Sequence, residues 1–297
     1  MAKKRYLTKS KFKEALDCPV KLYYTGKDQY ANQQNADEFL QSLAEGGFQV
    51  EELARLHYPE GVLIEDVERG SDNYYEHCLR ETEEALKNDS VVIYEAAFVY
   101  NNLFIRADIL VKQGNDIKLI EVKAKSFKSS SEHTLLNKTG KIDSGWRPYI
   151  YDLAFQKHVV QKANPNWNVE ARFMLADKSK SATIDGLNQL FRIKKNKKNR
   201  TGINKLATSL DECGASVLGE INADEAIDLI YSGKDMHYFE SMDFFQILNE
   251  YEKHYVADSK FNWPTGWHCK ACQYYTTSSD KEKLADGKQE CWGWSEE

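Results

Sequence analysis

Apolar positions in the first part of the chain recur at helical spacing. Phe12, Ala15 and Leu16 begin an i, i+3, i+4 pattern that continues toward Tyr23, with Thr8 or Ser10 as its cap. A second helical stretch over residues 36–58 carries Phe39, Leu40, Leu43, Val50, Leu53, Ala54 and Leu56, and Gly46–Gly47 predicts a break or kink in it. A third helix is expected over 74–87. The period then changes. VVIYEAAFVY (91–100), NLFIRADILVK (102–112) and DIKLIEVKAK (116–125) are β-rich runs parted by Asn101–Asn102 and by QGND (113–116), the residue types of tight turns, so an antiparallel meander is expected. A Ser/Lys-rich loop, expected to be mobile, leads to an amphipathic helix over 146–163 and a strand over 169–176. Helical segments return near 223–231 and 238–256.

This order predicts an α/β fold: a central mixed sheet with an antiparallel meander, flanked by helices. The 297 residues suit a single domain with four parts: a helical part (1–90), a sheet core (91–177), a helical region (178–262) and a tail rich in Cys, Trp and Tyr (263–297). Hydrophobic residues make up 41%, enough to bury a core, so a wholly disordered chain is excluded. No apolar run is long enough to span a bilayer, and the basic N-terminus lacks the apolar middle of a signal peptide, so a cytoplasmic protein without membrane contact is expected. The net charge of −6 argues against a surface coated for non-specific nucleic-acid binding, but not against an enzyme whose positive charge is local or carried by metal ions. No Walker-type phosphate loop, His-Glu-x-x-His or Gly-x-Ser-x-Gly occurs.

The turns align three acids. If Gly114–Asn115 is a two-residue turn, Gln113 faces Asp116, and stepping inward brings Asp108 opposite Glu121. If Asn101–Asn102 is the preceding turn, Tyr100 faces Leu103 and Glu95 comes opposite Asp108. Directly opposed Cβ atoms lie about 4.5–5.5 Å apart, and like charges so placed destabilise a sheet unless something compensates. A hard divalent cation held by carboxylate oxygens is a natural compensator. Lys123 shares the face of Glu121. Solvent-facing acids on a half-exposed sheet are the plainer alternative.

Ala107-Asp108 followed after a hairpin by Glu121-Val122-Lys123 resembles the PD-(D/E)XK nuclease motif, and the helix–meander–helix setting resembles its RecB-like branch. The resemblance implies that Asp108 and Glu121 hold Mg²⁺ or Mn²⁺, that Lys123 orients or helps deprotonate the attacking water, and that the fold is restriction-endonuclease-like. Ala107 stands where the family usually has Pro. RecB-like members carry a further metal ligand four residues after a Gly; Gly47-Phe-Gln-Val-Glu51 offers Glu51, with His57 as a rival. Glu95 joins the catalytic set. The downstream Gln-x-x-x-Tyr helix motif has only an imperfect counterpart in Gln156, which the resemblance makes a substrate contact, with Lys125 beside it.

Six cysteines in a reducing compartment are free thiols or ligands. Cys269-Lys-Ala-Cys272, Cys291 and the remote Cys18 read as a four-thiolate site, iron–sulfur or zinc. The split between an N-terminal helix and the C-terminal tail resembles the iron–sulfur nucleases of the RecB-like branch, including CRISPR-associated and AddB-type enzymes. That implies a [4Fe–4S] cluster joining the two ends of the chain, with Zn²⁺ as the alternative. Cys78 and Cys213 are left as ordinary thiols. The aromatic tail (Trp263, Trp267, Tyr274, Tyr275, Trp292, Trp294) is expected to pack a small core around that centre.

The densest basic run is RIKKNKKNR (192–200), a candidate nucleic-acid contact or a solvated face. The expected function is a metal-dependent nuclease cleaving DNA, exonucleolytic on single strands or ends, in repair or defence. Further domains or partner proteins, as in some relatives, are implied as well. Two other readings stay open: a nuclease-like module that binds nucleic acid or a partner without cutting, and a zinc-stabilised scaffold with incidental acids.

Overall fold

In the computed structural model, residues 4–36, 38–65, 73–131, 134–195, 201–238, 241–278, 280 and 284–293 are described. In chain order the elements are β1 (Leu7–Thr8), α1 (Lys9–Asp17), α2 (Lys21–Tyr24), α3 (Glu38–Arg55), β2 (Val62–Leu63), α4 (Tyr74–Ala85), β3 (Ser90–Tyr100), β4 (Leu103–Gln113), β5 (Asp116–Phe127), α5 (Arg147–Ala163), β6 (Asn168–Asp177), β7 (Phe191–Lys195), β8 (Thr201–Lys205), β9 (Leu218–Asn222), α6 (Asp224–Tyr231), α7 (Phe244–Val256) and α8 (Gly287–Trp292).

Two tight turns set the centre. Asn101 (φ 53°) and Gly114 (φ 59°) adopt the left-handed backbone that these turns require, which Asn and Gly tolerate best. They close β3–β4–β5 into the expected antiparallel meander, with Tyr100 facing Leu103 and Gln113 facing Asp116. The sheet runs β2-β3-β4-β5-β6-β9, and β1 pairs with β4 off that path. β5 and β6 are parallel, joined through α5, and β9 adds an antiparallel edge, so the sheet is mixed.

The two faces carry separate cores. Ile117 and Leu119 of β5 belong to a large core with Phe155 and Val159 of α5 and Phe12 of α1. The alternate residues Ile120 and Val122 join Leu53 and Ala54 of α3, Tyr94, Met174 and Phe191 on the other side. A third, small cluster unites Val20 and Tyr24 with Tyr274, and draws in Cys18, Cys272 and Cys291.

Several elements depart from the sequence reading. The first helix ends at Asp17 rather than running on toward Tyr23, because Cys18 precedes Pro19 and takes an extended backbone (φ −165°, ψ 116°). Gly46–Gly47 does not interrupt the second helix: α3 is continuous. Two helical glycines cost about 1 kcal/mol each, and packing of α3 on β5, β7 and β8 overrides that preference. The third helix stops at Ala85. The region 178–262 is not purely helical. It holds the β7–β8 hairpin, where Phe191 is buried, and the edge strand β9, and α7 starts only at Phe244, capped by Asp243 with Gln246. Arg192–Lys195 of the basic run lies in β7, and residues 196–200 lie outside the described residues. Among the described residues no helix is long and apolar enough to cross a membrane.

Candidate functional site

The sheet comes apart at Asp108. The lower end of β4 pairs with β1 (Leu7↔Leu103, Thr8↔Phe104), and its upper end pairs with β5 only as far as Ile109↔Ile120. Between these ladders Asp108 has no strand partner on that edge, and its Oδ2 instead accepts from the Val122 amide at 2.8 Å. The β3 side is interrupted at the same level: pairing skips from Tyr94↔Ile109 to Ala96↔Ala107. Glu95 there has φ 60°, strained for a residue with a Cβ. Side-chain alternation changes phase across it. Tyr94 belongs to the α3 core, whereas Ala96 and Phe98 join the α5 core. Strain and splayed strands leave a cleft at the carboxylates.

Glu121 faces α5 and is 1% exposed. Its Oε2 accepts from Gln156 Nε2 at 2.8 Å, and Lys123 is paired with its Oε1. Lys9, the first residue of α1, completes the group. Its Nζ lies 3.1 Å from both Glu121 oxygens and 3.3 Å from Asp108 Oδ1. Burial alone would raise the Glu121 carboxyl, but Lys123 and Lys9 hold it well below the usual range. Asp108 goes the other way, raised by burial and by the charge of Glu121 despite Lys9 and Lys123.

On the α3 side, Arg55 contacts Glu51 and reaches Glu95 at 3.4 Å, and Arg106 Nε lies 3.3 Å from Glu95 Oε2. Burial, then the charges of Asp108 and Glu95, push the Glu51 carboxyl up to about 8. Glu51, Glu95 and Asp108 line a cleft of about 350 Å³ together with Lys9, Arg106, Phe48 and Tyr75. His57, the rival of Glu51, points elsewhere, with Nε2 3.1 Å from Ser216 Oγ.

Of the residues singled out from sequence, Lys123 and Gln156 therefore contact Glu121 directly, Asp108 is joined to Glu121 through Lys9, and Glu51 and Glu95 stand at the rim. Glu95 lies level with Asp108, between Tyr94↔Ile109 and Ala96↔Ala107, but the backbone pairing lapses there and its carboxylate is held by two arginines. Gln156 is fully buried and donates to Glu121, so the structure makes it a positioning residue and not an open substrate contact. Lys125 stacks over Trp146 and Tyr149, at 4.8 and 5.1 Å from the ring centres.

Sequence reasoning missed two members. One is Lys9. The other is Asp152, one helical turn before Gln156 on α5, which is 0% exposed with neither carboxylate oxygen hydrogen-bonded. Its nearest ion-pair contact is Lys13 Nζ at 3.9 Å. Burial and the charge of Glu121 raise its carboxyl. The i, i+4 spacing of Lys9 with Lys13, and of Asp152 with Gln156, is the signal that was available.

At the other end of α1, Cys18 joins Cys269, Cys272 and Cys291 in lining one small cavity of about 20 Å³ with Tyr24, His268 and Trp292. All six cysteines are free thiols. The Tyr24 hydroxyl lies 3.3 Å from Cys291 Sγ, and burial pushes the Cys18 thiol up to about 11. Cys78 and Cys213 are buried apart from this ring. Tyr274 packs beside it as expected of the aromatic tail; Trp267 does not, being 85% exposed, and Trp294 lies outside the described residues.

The donor chemistry suits a hard cation at the carboxylates, where an ammonium already bridges two acids, and a soft ion or cluster among the four thiols. Among the described residues, however, no three His, Cys, Asp or Glu side chains stand in a ready-made metal-holding arrangement. Lys9 sits between the two acids, and the thiols ring a space about the size of one water. No family model matches this chain, and neither does any curated protein or solved structure.

Proposed function

We propose that this chain is a metal-dependent nuclease that hydrolyses DNA phosphodiester bonds, with the PD-(D/E)XK arrangement and restriction-endonuclease-like fold that its motif resembles. The observation that carries this reading is the shared ammonium. One cationic nitrogen lies 3.3 Å from Asp108 and 3.1 Å from Glu121, so acids of neighbouring strands already face a single point of positive charge. Asp108 and Glu121 would hold Mg²⁺ or Mn²⁺, with Glu51 as a further carboxylate at the rim. When bound, such an ion supplies Lewis-acid polarisation of the phosphate and a water of lowered pKa. Lys123, on the same face as Glu121, orients that water and meets negative charge developing on the phosphate. Gln156 and the Val122 amide fix the two carboxylates in direction. Action on single strands or ends, and a place in repair or defence, follow from the resemblance alone.

Digestion of single- and double-stranded DNA with Mn²⁺ or Mg²⁺ tests the reading, beside Asp108→Ala and Lys123→Ala. Cleavage by the parent chain that falls on the order of a hundredfold or more in both variants is the expected result. Equal cleavage by all three points to a contaminant and removes the enzyme. A second reading, a module that binds nucleic acid without cutting, is favoured by the presence of Lys9 between the acids. Absence of cleavage by folded parent protein that takes up no Mn²⁺ would select it.

For the thiols we propose a four-ligand centre tying the N-terminal helices to the C-terminal tail. The resemblance favours [4Fe–4S]. The small cavity favours zinc, because a four-iron cluster requires the thiols to move apart. Anaerobically purified protein that is brown, with visible absorption and bound iron, selects the cluster; colourless protein with one zinc per chain selects the ion.

A further inference from the structure

Two features of the carboxylate site are unexplained by the nuclease reading: a lysine bonded where a divalent ion belongs, and a fully buried aspartate with no hydrogen-bond donor. Both lie on the α1–α5 contact. Lys9 and Lys13 are one turn apart on α1, Asp152 and Gln156 one turn apart on α5, and Gln156 in turn holds Glu121. We infer that Lys9 is a built-in competitor of the metal ion: in the metal-free protein it neutralises Asp108 and Glu121, and when a divalent cation enters, its ammonium swings to the waiting carboxylate of Asp152. The inference rests on the nuclease reading and adds to it a device that sets metal affinity.

The physical argument is one of charge. Glu121, buried, and Asp108, partly buried, together carry one more charge than Lys123 offsets, and Lys9 supplies the missing cation in the metal-free sheet. The same ammonium must leave both acids before a dication can take their oxygens, since the two positive charges repel at such range. Leaving is expensive for a half-buried lysine unless another acid receives it. Asp152 is that acid. Both of its oxygens lack donors, as does Gln156 Oε1 one turn away, and Lys13 at 3.9 Å is its ion-pair contact. Gln156, one turn from Asp152, reaches the same Glu121 carboxylate that Lys9 bonds, and Lys13, one turn from Lys9, reaches Asp152, so the α1–α5 contact holds Asp152 on the ammonium's side of the cleft.

The test measures Mn²⁺ affinity on the full chain, from the electron paramagnetic resonance signal of the free ion, with no substrate present. Lys9→Met should bind Mn²⁺ about tenfold more tightly than the parent, a gain of about 1.4 kcal/mol. Lys13→Met removes the same charge one turn away and should change affinity by no more than about twofold. Asp152→Asn should weaken binding about tenfold in the parent and much less in Lys9→Met, because the displaced ammonium is then gone; such non-additivity marks a coupled pair. Lys9→Gln keeps a donor toward both acids without the charge, and serves if the methionine variant does not fold.

Unchanged or weaker binding in the Lys9 variants overturns the inference. So does an equal gain in Lys13→Met, which would reduce the effect to general charge, or an equal loss from Asp152→Asn in both backgrounds. Asp108→Ala and Glu121→Gln separate this from failure of the nuclease reading. If they abolish Mn²⁺ binding while Lys9→Met leaves it unchanged, only the competitor falls. If they leave binding intact, or if no form binds Mn²⁺, both fall together.

Discussion

The carboxylate cleft and the thiol ring are two solutions to holding reactive groups together, and they differ in where the compensation comes from. In the cleft, Asp108 and Glu121 come from adjacent strands and are offset by Lys9 and Lys123 within the protein itself. Those two acids have cationic partners without a metal. In the ring, thiols from the end of α1 and the C-terminal tail surround a cavity, and burial raises the Cys18 and Cys272 thiols. They are held by packing and by weak contacts such as that of the Tyr24 hydroxyl with Cys291 Sγ. Ligand loss should therefore cost the ring its structure and the cleft only its chemistry.

The strongest way to break this contrast is to remove one thiol. If the proposed centre is there, Cys269→Ser should lose its iron or zinc and expose both the α1–α2 segment and the C-terminal tail to limited proteolysis, because ligand bonds are folding free energy. Cys213→Ala, in the α3 core, should lose only about 1–2 kcal/mol of packing with metal content unchanged. Retention of full metal content and protease resistance by Cys269→Ser would mean that the ring is an ordinary buried cluster.

A smaller effect sharpens the cleft side. Gln156→Leu removes the donor on Glu121 at 2.8 Å while keeping the buried volume. About 1–2 kcal/mol of stability should be lost, read as a lower urea midpoint, together with about a tenfold slower Mn²⁺-dependent cleavage. A variant that cleaves as fast as the parent would deny Gln156 its positioning role.

An effect confined to acid pH, and absent at neutrality, concerns the back of α5. His158 lies against Phe245 and Tyr100, and burial, helped by Lys162, lowers its pKa to about 4. A histidine depressed on folding binds its proton first in the unfolded chain. Stability is thus full above the ordinary value of about 6.5, falls as the pH drops below it, and levels off under about 4. His158→Gln should flatten that part of the profile of unfolding free energy against pH. An unaltered slope would assign the titration to another group.

What the sequence revealed follows the range of the interactions. The two turns, Asn101–Asn102 and Gly114–Asn115, are local, and they were enough to bring Asp108 level with Glu121 across the hairpin. The helix and strand periods of α5 and β6 were equally local. For Glu95 the turns gave its level beside Asp108, but not its left-handed backbone or its pairing with Arg55 and Arg106. Lys9 and Asp152 escaped altogether. Each reaches the cleft only through the docking of α1 on α5, and the i, i+4 spacings of Lys9 with Lys13 and of Asp152 with Gln156 mark a helix face without saying what it docks on. Gly46–Gly47 misled because intrinsic preference lost to packing, and Pro19, a plain stop signal, was passed over.

The short β1 has a practical side. Leu7 donates its amide to Asn102 at 2.8 Å, and two residues later the backbone hands Lys9 to the acids. Thr8, Lys9 and Ser10 are thus a wall of the cleft. A spectroscopic label placed on Ser10 would stand at the mouth of the site, so labels for assays belong on the far loops.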